Sequence, residues 1–228
     1  DKKNKKIVAV QSESKDWVLF DSVNLSEWSV TFEGIKPDNT ESNNSQRFND
    51  RGMTGCLNVY KSKLDRATIK VSGGECEDSL NIVSSHGNVS SLYVQNAYAD
   101  AIDIDFSDLS VKNVEVNRAG NDCLDVSCGN YNIVNAILGK CFDKGVSVGE
   151  KSNFWIRNLS VETAAIGVSS KDFSIFSADE ARFLDTLVCV EAAQKKQEFG
   201  GGRAAFKKLS CDGEYVQDQN SLILIGDE

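Results

Sequence analysis

Six apolar residues recur at a fixed interval of 22: Leu80, Ile102, Leu124, Val146, Val168 and Val190. A second column, two residues on, reads Ile82, Ile104, Val126, Val148, Ser170 and Ala192. Between them runs a mostly polar column: Asn81, Asp103, Asp125, Ser147, Ser169 and Glu191. Alternation with a period of two is the mark of a strand. A strand that returns once per 22 residues describes a coil laid on a coil, which is a β-solenoid.

The composition agrees with stacked strands. Pro37 is the only proline, as expected where proline would remove a ladder donor. Glycine, Asn, Asp and Ser supply the turns. The net charge of −9, from 34 acids and 25 bases, argues against a nucleic-acid partner or an anionic membrane surface, both of which need basic faces. It suits a cation or a neutral ligand such as a sugar. No apolar run approaches the ~18–20 residues needed to span a bilayer. No leader is visible, and the chain begins at Asp1 rather than Met. The sequence is therefore compatible with an exported protein whose leader has been removed. The expected location is extracellular, periplasmic or on the cell surface.

Seven cysteines are present. Cys189 and Cys211 are one coil apart, and coils ~4.8 Å apart lie within the reach of a disulfide. Cys56 and Cys76 have a similar spacing, and Cys123 and Cys141 a shorter one. Either disulfides form, or the thiols act as small core hydrophobes. Cys128 shares the parity of Leu124 and Val126, which places it inside. No Cys–His pattern supports zinc.

Residues 1–6 read as a solvated tail, and the chain to residue 53 as a cap over the end of the solenoid, covering unpaired strand edges. Within it Trp28, Val30 and Phe32 alternate as a strand, and residues 36–51 form a long polar loop. The coils occupy 54–228. Second strands fall at Leu92/Val94, Val114/Val116, Ile137 and Leu159/Val161, with a register shift near 136–144. Ser177–Leu184 reads as a short helical or loop excursion, and Leu222–Ile225 as a closing strand. The whole is expected to be an all-β, right-handed parallel β-helix solenoid of about 22 residues per coil with an N-terminal cap and seven or eight coils, roughly 35 Å long from the strand spacing.

The segments Glu77–Asn81, Asp100–Ser107, Gly120–Asp125, Asp143–Glu150 and Ser170–Ser174 give the chain a resemblance to bacterial right-handed parallel β-helix repeat proteins of the pectin-lyase-like superfamily. It covers roughly residues 54–212. That superfamily contains polysaccharide lyases, glycoside hydrolases and epimerases, and also non-catalytic surface modules. The resemblance implies the fold and a substrate lying across one outward sheet face, and it leaves the activity open.

Along the repeated strand, alternation turns Asp103, Asp105, Asp125, Ser147, Ser169 and Lys171 outward. Asp103 and Asp125 are stacked neighbours. Two carboxylates ~5 Å apart raise one another's pKa unless a cation lies between them. One expectation is a Ca²⁺ site on Asp103, Asp105 and Asp125, because Ca²⁺ takes several carboxylate oxygens. The other is an acid/base pair for glycoside hydrolysis on Asp103 and Asp125. Lys144 or Lys171 would assist catalysis, as a base or as a partner for a uronate in a lyase. Equally, each lysine could simply pair with a neighbouring acid such as Asp143 or Asp172. Asp105, Glu150, Lys196 and Arg203 are the candidate substrate-binding residues. Asp78, Asp100 and Asp122 recur at each coil and read instead as caps of turn amides. The partner is a polysaccharide or other glycan. The alternative is a non-catalytic structural or adhesive module of a larger surface protein. No phosphate loop, dinucleotide fingerprint or nucleophile elbow occurs, and His86, the only histidine, sits in a Ser-Ser-His-Gly turn.

Overall fold

The computed structural model describes residues 1–36 and 47–226. Every regular element in them is a strand, and every pairing is parallel. The coils stack into a β-solenoid of about 10 turns, more than the seven or eight expected. The difference arises partly at the N-terminus. Lys6–Val10, Val18–Asp21 and Ser29–Glu33 pair in register with the strands that follow them and continue the same ladders.

Three ladders run along the solenoid. The first joins Val18–Asp21, Gly55–Tyr60, Asp78–Val83, Asp100–Asp105 and Leu124–Ser127, then 146–149, 166–171, Thr186–Ala193 and Glu214–Gln217. The second contains the column Ser29, Thr68, Ser91, Asn113, Asn135, Asn158, Glu180 and Lys208. The third contains His86, Asp108, Asn130, Asn153, Ile175, Arg203 and Leu222. Ser177–Leu184 departs from expectation. Most of it is the strand Ile175–Phe183, whose Phe176, Ala178, Ala181 and Phe183 are buried. The ladder overrides the helical propensity of its Ala and Glu residues. The expected register shift is present, between Cys141 and Lys144.

The two apolar columns of the repeat form the core. Leu57, Leu80, Ile102, Leu124, Val146, Val168 and Val190 stack at no measurable exposure. Each such side chain contributes roughly 1.5–3 kcal/mol by leaving water. Phe154, Phe176 and Phe206 form an aromatic stack inside, with ring centroids 5.3 and 5.2 Å apart. Three disulfides staple the coils: Cys56–Cys76, Cys123–Cys141 and Cys189–Cys211. Cys128 is a free thiol and is only half-buried, not inside. The strand ends at Ser127, so alternation no longer governs the next residue.

The corner after the first ladder has a device that alternation does not reveal. Ser22, Lys61, Ser84, Phe106, Cys128, Glu150 and Asp172 all have positive φ, between 47° and 56°. One left-handed residue turns the chain at five of these corners, and two in succession, Glu150–Lys151 and Asp172–Phe173, at the other two. The next residue is commonly a buried serine. Ser62 and Ser85 each donate to the carbonyl two residues earlier, and Ser85 Oγ also accepts the Ser62 amide. Ser107 repeats this one coil on, bonding the Ser85 amide and the Asp105 carbonyl.

Candidate functional site

The outer face of the first ladder gathers the acids. Asp78, Asp100 and Asp122 open its strands, Asn81, Asp103, Asp125, Ser147 and Ser169 form the next outward column, and Asp105, Ser127 and Lys171 the one after. The face is not the open surface expected. Asp103, Asp105 and Asp125 are half-buried, Asn81, Ser147 and Ser169 are buried, and Lys171 is 8% exposed.

Burial sets the electrostatics. It pushes Asp103 well above the ordinary carboxylate range, and Asp78, Asp105 and Asp125 push it further. Among the described residues, the side chain hydrogen-bonded to Asp103 is neutral: Asn81 Nδ2 donates to Oδ2 at 3.3 Å. Asp125 is also raised by burial, but Lys171 and a hydrogen bond from Ser147 oppose the rise. Lys171 Nζ donates to Ser147 Oγ at 2.8 Å, so the buried hydroxyl links ammonium to carboxylate. Asp105 is held at about 6 by burial, with Asp125 and Glu150 repelling it and Lys196 attracting it.

The other expected residues divide. Lys144 pairs with Asp143 and, at 3.4 Å, with Asp122. Burial alone would lower its pKa, but the two carboxylates raise it overall. Lys171 pairs with Ser147 and faces Asp125, and the alternative pairing with Asp172 is not made. Asp172 instead accepts the amides of Lys195 and Lys196, both at 2.8 Å, and fixes the loop after the Thr186–Ala193 strand. Glu150 accepts from Ser127 and from Lys196, which brings Lys196 to the rim of the acid face. Arg203 does not join them. It lies on the third ladder beside Ile175 and Leu222, because the chain passes another corner after Lys196.

The turn-capping role of Asp100 and Asp122 is present. Asp100 accepts the Asp122 amide at 2.8 Å, and Asp122 accepts the Lys144 amide at 2.9 Å. Burial holds both at about 6. Asp78 differs. It is 2% exposed, its Oδ2 has no hydrogen-bond partner, and neither does the hydroxyl of buried Ser79. Burial raises Asp78 to about 8, and Asp100 adds to the rise. Its place in the turn column concealed it, because sequence alone does not show which cap lacks an amide.

Hard oxygen donors suit Ca²⁺. Among the described residues, however, no three carboxylates, cysteines or histidines meet in an arrangement able to hold a metal. Also among the described residues, no helix is long and apolar enough to cross a membrane. Comparison with protein-family models, with curated proteins and with solved structures finds no match.

Proposed function

We propose that this protein is a carbohydrate-interacting β-helix protein that hydrolyses a glycan across the outer face of its first ladder. One observation carries the reading: Asp103 and Asp125 are direct partners on adjacent strands, and only Asp125 has a cation and a hydroxyl opposing its rise in pKa. Two carboxylates whose environments differ in this way divide into an acid and a base. Asp103, kept protonated, donates its proton to the glycosidic oxygen. Asp125, held nearer ionisation by Lys171 and Ser147, acts as the nucleophile: it bonds the anomeric carbon as the protonated leaving sugar departs, and water deprotonated by Asp103 then breaks that ester. Parallel strands lie about 4.8 Å apart, and a separation of about 5–5.5 Å suits a retaining enzyme. Lys171 is a positioning residue, since it acts through Ser147 and Asp125. Asp105, Glu150 and Lys196 would line the substrate, and Lys144, held by Asp122 and Asp143, would brace the opposite side.

The likeness to the pectin-lyase-like superfamily supports a glycan substrate, and three disulfides support an oxidising, extracytoplasmic setting. A lyase is the weaker choice, because its lysine base would have to leave a buried hydroxyl. A non-catalytic module of a larger surface protein is the second reading. It is favoured by the full burial of Ser147 and Ser169, which leaves little depth for a reacting sugar.

The test is a panel of neutral and acidic glycans incubated with and without Ca²⁺. Released reducing ends and the ultraviolet absorbance of unsaturated products are read on the same samples. Reducing ends without absorbance, abolished by Asp103→Asn, are the expected result. Absorbance would make the protein a lyase. Silence across the panel would leave the non-catalytic module.

A further inference from the structure

A second site lies away from the acid face, on the second ladder. An open groove of about 770 Å³ follows the solenoid axis there. Along it runs a row of three amides, Asn113, Asn135 and Asn158, which are direct partners in the ladder. Asn135 Nδ2 donates to Asn113 Oδ1 at 3.3 Å, and Asn158 Nδ2 donates to Asn135 Oδ1 at 2.9 Å.

These two bonds use a small part of what the row offers. A primary amide has two donor hydrogens and an oxygen with two lone pairs. Asn135 and Asn158 each keep a second N–H, Asn113 keeps both of its own, and the Asn158 oxygen accepts from no side chain in the row. The row is solvent-facing, with Asn113 and Asn158 exposed and Asn135 half-buried. Beside it lie buried apolar side chains, Ala136, Leu159 and Ala181, and on one flank Ile137, which is 54% exposed. The row ends in Glu180, which is ion-paired with Lys208 at 3.0 Å.

We infer that this groove binds an extended, neutral glycan chain lying along the solenoid axis. A sugar presents hydroxyls at its edge and C–H groups on its faces, and the groove presents amides beside the exposed carbon of Ile137. The donors repeat at the strand spacing of about 4.8 Å, so the ligand must be extended and must repeat its own polar groups. A peptide added to a sheet would seek unpaired backbone at an edge strand, whereas these strands are paired on both sides. A nucleic acid would need a cationic stripe. The charged residues lining the groove are Glu180, Arg182 and Lys208, and the ion pair offsets two of them. The groove does not require the acid pair to be catalytic: it would hold a chain whether or not the other face cleaves one.

The experiment uses the whole chain, ¹⁵N-labelled, titrated with cellohexaose, xylohexaose, mannohexaose, chitohexaose and an octagalacturonate. The side-chain NH₂ signals of Asn113, Asn135 and Asn158 are followed by NMR, and affinity by calorimetry. At least one neutral hexasaccharide is expected to move those signals. Ile137→Arg, which fills the flank from an exposed position, should weaken binding at least tenfold, and Asn135→Ala with Asn158→Ala should do the same. Asp103→Asn should leave this affinity unchanged even if it abolishes cleavage. Failure of every neutral oligosaccharide to move the three amides, binding of the octagalacturonate alone, or undiminished binding in a folded Ile137→Arg variant overturns the proposal. Binding at the amides without turnover would count against the hydrolase reading only.

Discussion

The hydroxyl of Tyr131 stands in for the serine that position 129 lacks. In the coils before it, a serine follows the left-handed corner residue, bonding an amide one coil away and the carbonyl two residues back. Here Cys128 turns the corner and Gly129 follows. Tyr131 Oη lies 2.8 Å from the Ser127 carbonyl and 2.9 Å from that of Ile104, and it accepts the Ser107 amide. A Cβ at Gly129 would collide with that hydroxyl and with the Ser107 carbonyl. Tyr131→Phe leaves buried backbone groups unmet and should cost about 1–3 kcal/mol. Gly129→Ser alone should also destabilise. Gly129→Ser with Tyr131→Leu restores the Ser–Leu pattern of Ser107 and Leu109 and should cost less than the sum of the two single changes, as read from chemical denaturation in a double-mutant cycle.

Stability should fall as pH rises from about 5 to 8. Asp100, Asp105 and Asp122 are held at about 6 and Asp78 at about 8 in the folded chain, against about 3.9 unfolded. Between these values the folded state binds more protons than the unfolded one, so raising the pH favours unfolding. The contribution is fully present below about pH 4 and is lost as the pH passes through the folded values. Asp78→Asn should flatten the dependence, removing on the order of 4 kcal/mol of the difference between pH 5 and pH 8. A melting temperature independent of pH over that range would contradict the burial of these acids.

Phe106 turns its corner at φ 49° while its ring is 63% exposed. The left-handed conformation costs an ordinary residue roughly 1–2 kcal/mol, and asparagine tolerates it better. Phe106→Asn should stabilise by about 0.5–1 kcal/mol, and Phe106→Val should destabilise, since β-branching is least compatible with positive φ. The order of thermal midpoints, Asn above Phe above Val, is the check.

Without reductant, the native protein should take up one iodoacetamide, at Cys128. The other six cysteines are paired. Labelling should be slow at neutral pH, because burial and the carboxylates of Glu150 and Asp105 raise the thiol's pKa. Opening Cys189–Cys211 by Cys→Ala substitutions should cost about 3 kcal/mol for a loop of that length. Intact mass and thermal melts read both effects.

If the acid face cleaves a glycan, Lys171→Met should move the acidic limb of the rate profile to higher pH. Removing the ammonium takes away a group that holds Asp125 down, so ionising the nucleophile then needs a higher pH. Asp103→Asn should lower kcat about 10²–10⁴-fold with little change in KM. A raised KM with kcat unchanged would assign Asp103 to binding.

The sequence by itself determined the coil, its period, the two core columns and the adjacency of Asp103 and Asp125, because a period-two strand repeated every 22 residues fixes both register and face. It also held the spacings of the disulfides, though not whether they close. Corners and cover were decided only in three dimensions. No propensity marks Lys61, Phe106 and Glu150 as left-handed, since the ladders on either side impose that conformation. Alternation says which way Ser147 and Lys171 point, but not that neighbouring groups bury them. It cannot say that the Oδ2 of Asp78 is buried without a partner. The amide groove was hidden for the same reason. Asn113, Asn135 and Asn158 are 22 and 23 residues apart, and only the stacking of coils, with the extra residue absorbed at the Glu150–Lys151 corner, brings their amides into one row.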